Sequence, residues 1–141
     1  MSTLPSNPEI AIDRGVPRAA AVIDIGATSI RMAIAEIHPD GQVRTLDTLT
    51  QPMDLGREAF ENRRLSRKTI ERSASVLQRY QRVLQEYGIK PTDVRVVATT
   101  AVREASNRLA FADRIYVATG LNVESIDEAE VNRITYMGVM P

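Results

Sequence analysis

A carboxylate, a glycine and two hydroxyls stand close together in Ile23-Asp24-Ile25-Gly26-Ala27-Thr28-Ser29-Ile30. Asp24 lies inside an apolar run, where a buried carboxylate is costly unless a metal ion or a donor meets it. Gly26 lacks the Cβ that would hold a phosphate oxygen off the backbone N–H groups, and Thr28 and Ser29 add hydroxyl donors beside it. Such a set supports phosphate binding, with a cation or donor at the carboxylate. The same residues also suit a plain strand-to-strand turn with a capped aspartate, because short glycine motifs recur without function.

A second group is Thr99-Thr100-Ala101-Val102-Arg103-Glu104-Ala105-Ser106-Asn107. Its two threonines suit the cap of a helix whose first N–H groups favour an anion, and Arg103 can offer a bidentate fork to phosphate. Asn107 follows four residues later, over the same helical face. A capped helix with a surface arginine and asparagine accounts for these residues equally well. Asp127-Glu128-Ala129-Glu130 has the form of a capping box, with Asp127 as N-cap and Glu130 at N3, which leaves Glu128 without a specific structural role.

The elements that would position these groups follow from hydrophobic periodicity. Ala19 to Ile25 is continuously apolar apart from Asp24, as suits a strand buried on both faces; Ile30, Met32 and Ile34 alternate with Arg31, Ala33 and Ala35 in a second strand. Pro39-Asp40-Gly41 marks a turn. A third strand follows from Val43, with Val43, Thr45, Asp47 and Leu49 on one face and Arg44, Leu46 and Thr48 on the other, ending before Pro52. Residues 53–64 carry Gly56, Arg57, Arg63 and Arg64 without a clean period and are expected to form a loop whose arginines could meet an anion.

Ser66 as N-cap, with a Leu65–Ile70 staple, begins a long helix with Ile70, Ala74, Leu77, Leu84 and Tyr87 on one face, stopped by Gly88 and Pro91. Val94 to Thr99 is then a strand reached through a helix, and therefore parallel to the first. A further helix runs to about Ala118, and a fifth strand takes Asn122 to Ile126. His38, at the first turn, is expected to be a solvated loop residue.

Size and composition narrow the chemistry. The chain has 141 residues, 18 basic and 18 acidic side chains, no cysteine and one histidine. One core is affordable at this length. Disulfides, thiolate metal sites and Cys/His nucleophilic catalysis are excluded, and the balanced charge invites neither nucleic acid nor an anionic membrane. No run has the length of a membrane span and the N-terminus lacks a basic region followed by an apolar stretch, so a cytoplasmic protein is expected. Residues 1–18, with Pro5, Pro8 and Pro17, are expected to be a flexible tail ahead of a single domain over 19–141.

With the Asp24 turn, the Thr-Thr-Ala-Val-Arg-Glu-Ala-Ser-Asn stretch and the closing Arg133-Ile134-Thr135-Tyr136-Met137-Gly138-Val139 in that order, residues 20–139 resemble the N-terminal half-domain of the Ppx/GppA (exopolyphosphatase/guanosine pentaphosphate phosphohydrolase) family. The resemblance implies an α/β, actin-like (ribonuclease-H-like) half-domain with a mixed five-stranded sheet of order 3-2-1-4-5. It further implies hydrolysis of terminal phosphoanhydride bonds, in polyphosphate or in guanosine penta- or tetraphosphate, with Mg2+ or another divalent cation. Asp24 would hold the metal or its waters; Gly26, Thr28, Ser29, Arg103 and Asn107 would bind phosphate.

The sequence departs from the family pattern at three places. Ala27-Thr28 stands where the family usually has Ser-Asn. Aligned without a gap, the family's catalytic glutamate falls on Val131; Glu128 shares the helical face of Val131, whereas Glu130 points about 100° away. An alignment with three inserted residues also brings Glu128 into place, so Glu128 is the favoured base and Glu130 the second candidate. Finally, the family's second half, with its further glycine-rich phosphate loop, is not in this sequence, so the expectation is either a fragment of a longer protein or a stand-alone half that forms a homodimer or pairs with a separate C-terminal half. The competing functions are a non-catalytic phosphate-binding or regulatory half-domain that has lost its base at Val131, and a sugar-kinase-like ATPase that shares the first loop only.

Overall fold

The computed structural model describes residues 15–125. Five strands form one mixed sheet: β1 (Arg18–Ile25), β2 (Ser29–Ile37), β3 (Val43–Pro52), β4 (Val94–Ala98) and β5 (Val123–Ser125), in the spatial order β3-β2-β1-β4-β5. β1 is central, antiparallel to β2 and parallel to β4, and β4 is parallel to β5. This is the expected order, and its cause is connectivity. Tight turns join β1, β2 and β3 into a meander, whereas β4, parallel to β1, and β5, parallel to β4, are each reached through helices.

The helices are α1 (Leu55–Asn62), α2 (Arg67–Glu86), the single turn α3 (Thr100–Arg103) and α4 (Arg108–Thr119). Their buried apolar residues, among them Leu55, Ile70, Leu77, Tyr80, Val102, Phe111 and Ile115, join one cluster with Ala21, Ile23, Ile25, Met32, Ile34, Val96 and Ala98 of the sheet. Burying each large apolar side chain of this kind contributes about 1.5–3 kcal/mol. Since side chains alternate along a strand, Ala20, Val22, Ala35 and Val97 form a separate cluster on the opposite face. Among the described residues, no helix is long and apolar enough to cross a membrane.

Helix α2 begins as expected: the Ser66 side chain accepts from the Thr69 N–H, and Leu65 and Ile70 are buried. Its end carries Gly88 at φ 71°, with the Ile89 N–H on the Leu84 carbonyl at 3.0 Å. The buried tyrosine of this helix is Tyr80, whose hydroxyl donates to the Ile30 carbonyl at 2.7 Å, while Tyr87 is exposed and donates to Asp47. His38 sits at the first turn, 2.9 Å from the Glu36 carboxylate.

Three local expectations change. Residues 53–64 are not a loop, because Leu55–Asn62 is helical; only Leu55 and Ala59 of α1 are buried, one helical turn apart, too little for a visible period. The alternation expected along β3 breaks where its pairing with β2 shifts between Ile34 and Ala35. That irregularity lets Leu46 and Leu49, an odd number of residues apart, both pack against the main core. After β4 the helix is interrupted, α3 giving way to α4 around Ala105–Asn107.

Candidate functional site

β1 and β4 run parallel, so their carboxyl ends open on the same edge of the sheet. The two ends are joined there: the Ile25 carbonyl accepts from the Thr99 N–H at 3.2 Å and from the Thr99 hydroxyl at 3.4 Å. Ile25 is fully buried and Thr99 is 8% exposed, so the junction is anchored in the core. Thr99 thus spends its hydroxyl on the neighbouring strand, and its carbonyl starts α3 by accepting from Val102 and Arg103. One turn of helix has little macrodipole, so any anion affinity of this loop rests on Arg103, which is exposed and makes no ion pair among the described residues.

The turn after β1 is closed by the Gly26 N–H donating to the Ser29 carbonyl at 2.9 Å. The next two amides, of Ala27 and Thr28, donate to no carbonyl among the described residues, and their side chains are exposed. Gly26 is not held at positive φ. A Cβ there would lie 3.5 Å from the Ser29 carbonyl oxygen and 3.9 Å from Asp24 Oδ1, so the glycine keeps open the space beside the carboxylate. Asp24 is partly buried and lies opposite Arg31 of β2 and beside Val97 of β4 in the register. Directly opposed residues share a face, so the exposed Arg31 belongs to the surroundings of Asp24. Periodicity could have found Arg31, which alternates with the buried Ile30 and Met32.

The start of α1 lies against the same turn. The Met53 N–H donates to the Thr28 carbonyl at 3.0 Å and the Gly56 N–H to the Ala27 carbonyl at 2.8 Å. Here glycine is a steric requirement, because a Cβ on Gly56 would come within 2.8 Å of the Ala27 Cβ. An open groove lined by Thr28, Pro52, Met53, Asp54 and Arg72 runs from this point. Past the other end of α1, the Ser106 N–H donates to the Arg63 carbonyl at 2.7 Å. Asn107 binds the Leu65 backbone twice, accepting from its N–H at 2.9 Å and donating to its carbonyl at 2.8 Å.

The structure therefore brings Asp24, Gly26, Thr28 and Ser29 into one turn and sets the Arg103 loop beside it. Asn107 has both ends of its amide engaged with Leu65. Of the three arginines near α1, Arg57 pairs with Asp54 at 2.7 Å, and Arg63 ends the helix at φ 59°. Glu58, with no local sequence signal, reaches the start of α2, accepting from the Ser66 N–H and, at 2.9 Å, from the Thr69 hydroxyl. Glu128, Glu130 and Val131 lie outside the described residues. Among those described, no three acidic or histidine side chains converge as a ready-made metal cage.

Residues 33–141 match the model of the Ppx/GppA phosphatase family. A guanosine-5'-triphosphate,3'-diphosphate pyrophosphatase of Aliivibrio fischeri is 29% identical over 88% of this chain and 24% of its own length. A solved Ppx/GppA family member from Aquifex aeolicus is 33% identical with a TM-score of 0.76, covering 85% of this chain and 38% of that one. An exopolyphosphatase of known structure from Cytophaga hutchinsonii is 26% identical with a TM-score of 0.74, over 83% of this chain and 36% of its own. The chain thus spans about a quarter to two fifths of the length of these three proteins.

Proposed function

The chain belongs to the Ppx/GppA phosphatase family, and on that premise we propose that it is the phosphate-binding part of an enzyme that hydrolyses terminal phosphoanhydride bonds. Its substrate is polyphosphate or a guanosine penta- or tetraphosphate. The observation that carries this reading is the Ile25–Thr99 junction, which puts the Gly26–Ser29 turn and the Arg103 loop on one edge of the sheet.

In this reading the Ala27 and Thr28 amides and the Thr28 and Ser29 hydroxyls cradle the terminal phosphate. Arg103 approaches it from the second loop with a bidentate fork, and charge-assisted bonds of this kind are about twice as strong as neutral ones. Arg31, across from Asp24, adds positive charge on the same face. Asp24 fits a Mg2+ ion, which needs only one or two carboxylates and takes its other ligands from water and phosphate oxygens. When bound, such an ion supplies charge neutralisation at the transferred phosphoryl group. Glu128 orients and deprotonates the attacking water, and Glu130, two positions further along the chain, is the second candidate carboxylate. The rest of the cleft comes from further chain or from a partner, a second copy or a separate C-terminal half.

A second reading, a half-domain that binds phosphate without hydrolysing it, is favoured by Val131, a side chain that cannot take a proton where the family's glutamate aligns. Phosphate release from polyphosphate and from guanosine pentaphosphate decides between the two, using a protein that contains this segment with Glu128→Gln and Arg103→Ala beside it. Release abolished by both substitutions is expected. Release untouched by Glu128→Gln would remove Glu128 from the mechanism. Binding without release would establish the second reading.

A further inference from the structure

Helix α1 and its flanking residues reach both loops of the candidate site through hydrogen bonds of their backbone groups, at or just beyond the helix ends. The turn at Ala27–Thr28 takes the Gly56 and Met53 N–H groups at one end, and the segment Ser106–Asn107 takes Arg63 and Leu65 at the other. The helix itself has eight residues, with the anchoring Gly56 in its first turn, and is about 12 Å of backbone at 1.5 Å per residue. Leu55 at its first position and Ala59 one turn later fix the helix to the core. The Ile25–Thr99 junction holds only the strand ends; Thr28 and Arg103 lie beyond it, and α1 supplies their second constraint.

We propose that α1 is a strut that sets the position of the Arg103 loop relative to the Gly26–Ser29 turn, with Gly56 and Asn107 as its positioning residues. Gly56 lets the helix start rest on Ala27, and Asn107 ties the helix exit to the loop that carries Arg103. In this role neither residue needs to touch substrate: Gly56 has no side chain, and both polar atoms of the Asn107 amide are engaged by Leu65. Asn107 acts through Leu65, which makes its amide specific: an aspartate there keeps the acceptor for the Leu65 N–H but sets a carboxylate oxygen against the Leu65 carbonyl. The effect on phosphate rests on the reading of the two loops given above, whereas the mechanical coupling does not.

Amide hydrogen exchange on the full chain tests the coupling from both ends. In Asn107→Asp, the strut requires faster exchange at Gly56 and Met53, at the far end of α1, by about fivefold to tenfold, the scale of one lost hydrogen bond. In Gly56→Ala, it requires faster exchange at Ser106, while Leu84 in α2 keeps its wild-type rate in both variants. Exchange changes confined to Leu65 and Ser106 in the first variant, and to the Ala27 turn in the second, would overturn the strut. Titration with Mg2+ and tripolyphosphate then separates the two claims. Weaker binding by Gly56→Ala than by the wild type, with no charge added and every proposed contact residue unchanged, supports the positioning role, and equal binding contradicts it. A wild type that binds no tripolyphosphate would defeat the phosphate reading, and the exchange data alone would still decide the strut.

Discussion

The Ile25–Thr99 junction and the α1 anchors hold the same two loops by different physical means. At the junction, two hydrogen bonds join residues shut into the core, backed by Ile23, Val96 and Ala98 at 0 or 1% exposure. Along α1, two buried side chains support a helix that leaves Phe60 84% exposed, and the work is done by backbone groups at its ends. The inner wall of the proposed site is thus fixed by packing and the outer wall by hydrogen bonds. Damage to the first should appear as lost stability, and damage to the second as lost geometry in a folded protein.

Ile25→Ala attacks the inner wall and should have the largest effect, a loss of about 2–5 kcal/mol in a denaturant melt, because a fully buried side chain is replaced by a cavity. A loss below 1 kcal/mol would show that packing does not hold this wall. Gly56→Ala attacks the outer wall. The added Cβ must displace Ala27, with a cost of about 1–3 kcal/mol for overpacking and clear shifts of the Ala27 and Thr28 amide resonances; unshifted resonances would mean that the helix moves instead. Tyr80→Phe sharpens the comparison by removing a polar contact within the core. It leaves the buried Ile30 carbonyl without its 2.7 Å donor, at about 1–3 kcal/mol with little change at the site.

The smallest effect is expected at the surface. Arg114 on α4 binds the Glu71 carboxylate of α2 twice, at 2.8 and 3.0 Å, and this hydrogen bonding, ahead of the charge attraction, holds the Glu71 carboxyl below its ordinary value of 4.5. A lowered carboxyl stabilises the fold above the unfolded-state value and loses that contribution as pH falls through the lowered one. The gap in thermal midpoint between wild type and Glu71→Gln should therefore be small at neutral pH and close in acid. A gap that widened in acid would contradict the assignment.

Legibility in the sequence follows the same division. Elements fixed by packing are visible: the apolar run of β1, the Ser66 cap of α2 and its apolar face, with Tyr80 rather than Tyr87 as the buried tyrosine, and the parallel β4 stand where periodicity places them, and the sheet order follows from the connections. Features fixed by backbone hydrogen bonds left little trace. Helix α1 buries only two of its residues, and the shift in β3 brings Leu46 and Leu49 to one face against strict alternation. Asp24, Gly26 and Arg103 stand out in the sequence as candidates by residue type and place, and the structure sets their two segments at one edge of the sheet. Asn107 was legible as a polar residue, but its engagement with Leu65, 42 positions away, has no local signature.

The central claim is that the turn after β1 and the loop after β4 make one phosphate site. Amide resonances of Gly26–Ser29 and Thr99–Arg103, followed during titration of the chain with Mg2+ and tripolyphosphate, test it most directly. The account predicts that both segments shift with one common midpoint and that Arg103→Ala weakens the response of both together. Shifts confined to one segment, or two separate midpoints, would contradict it.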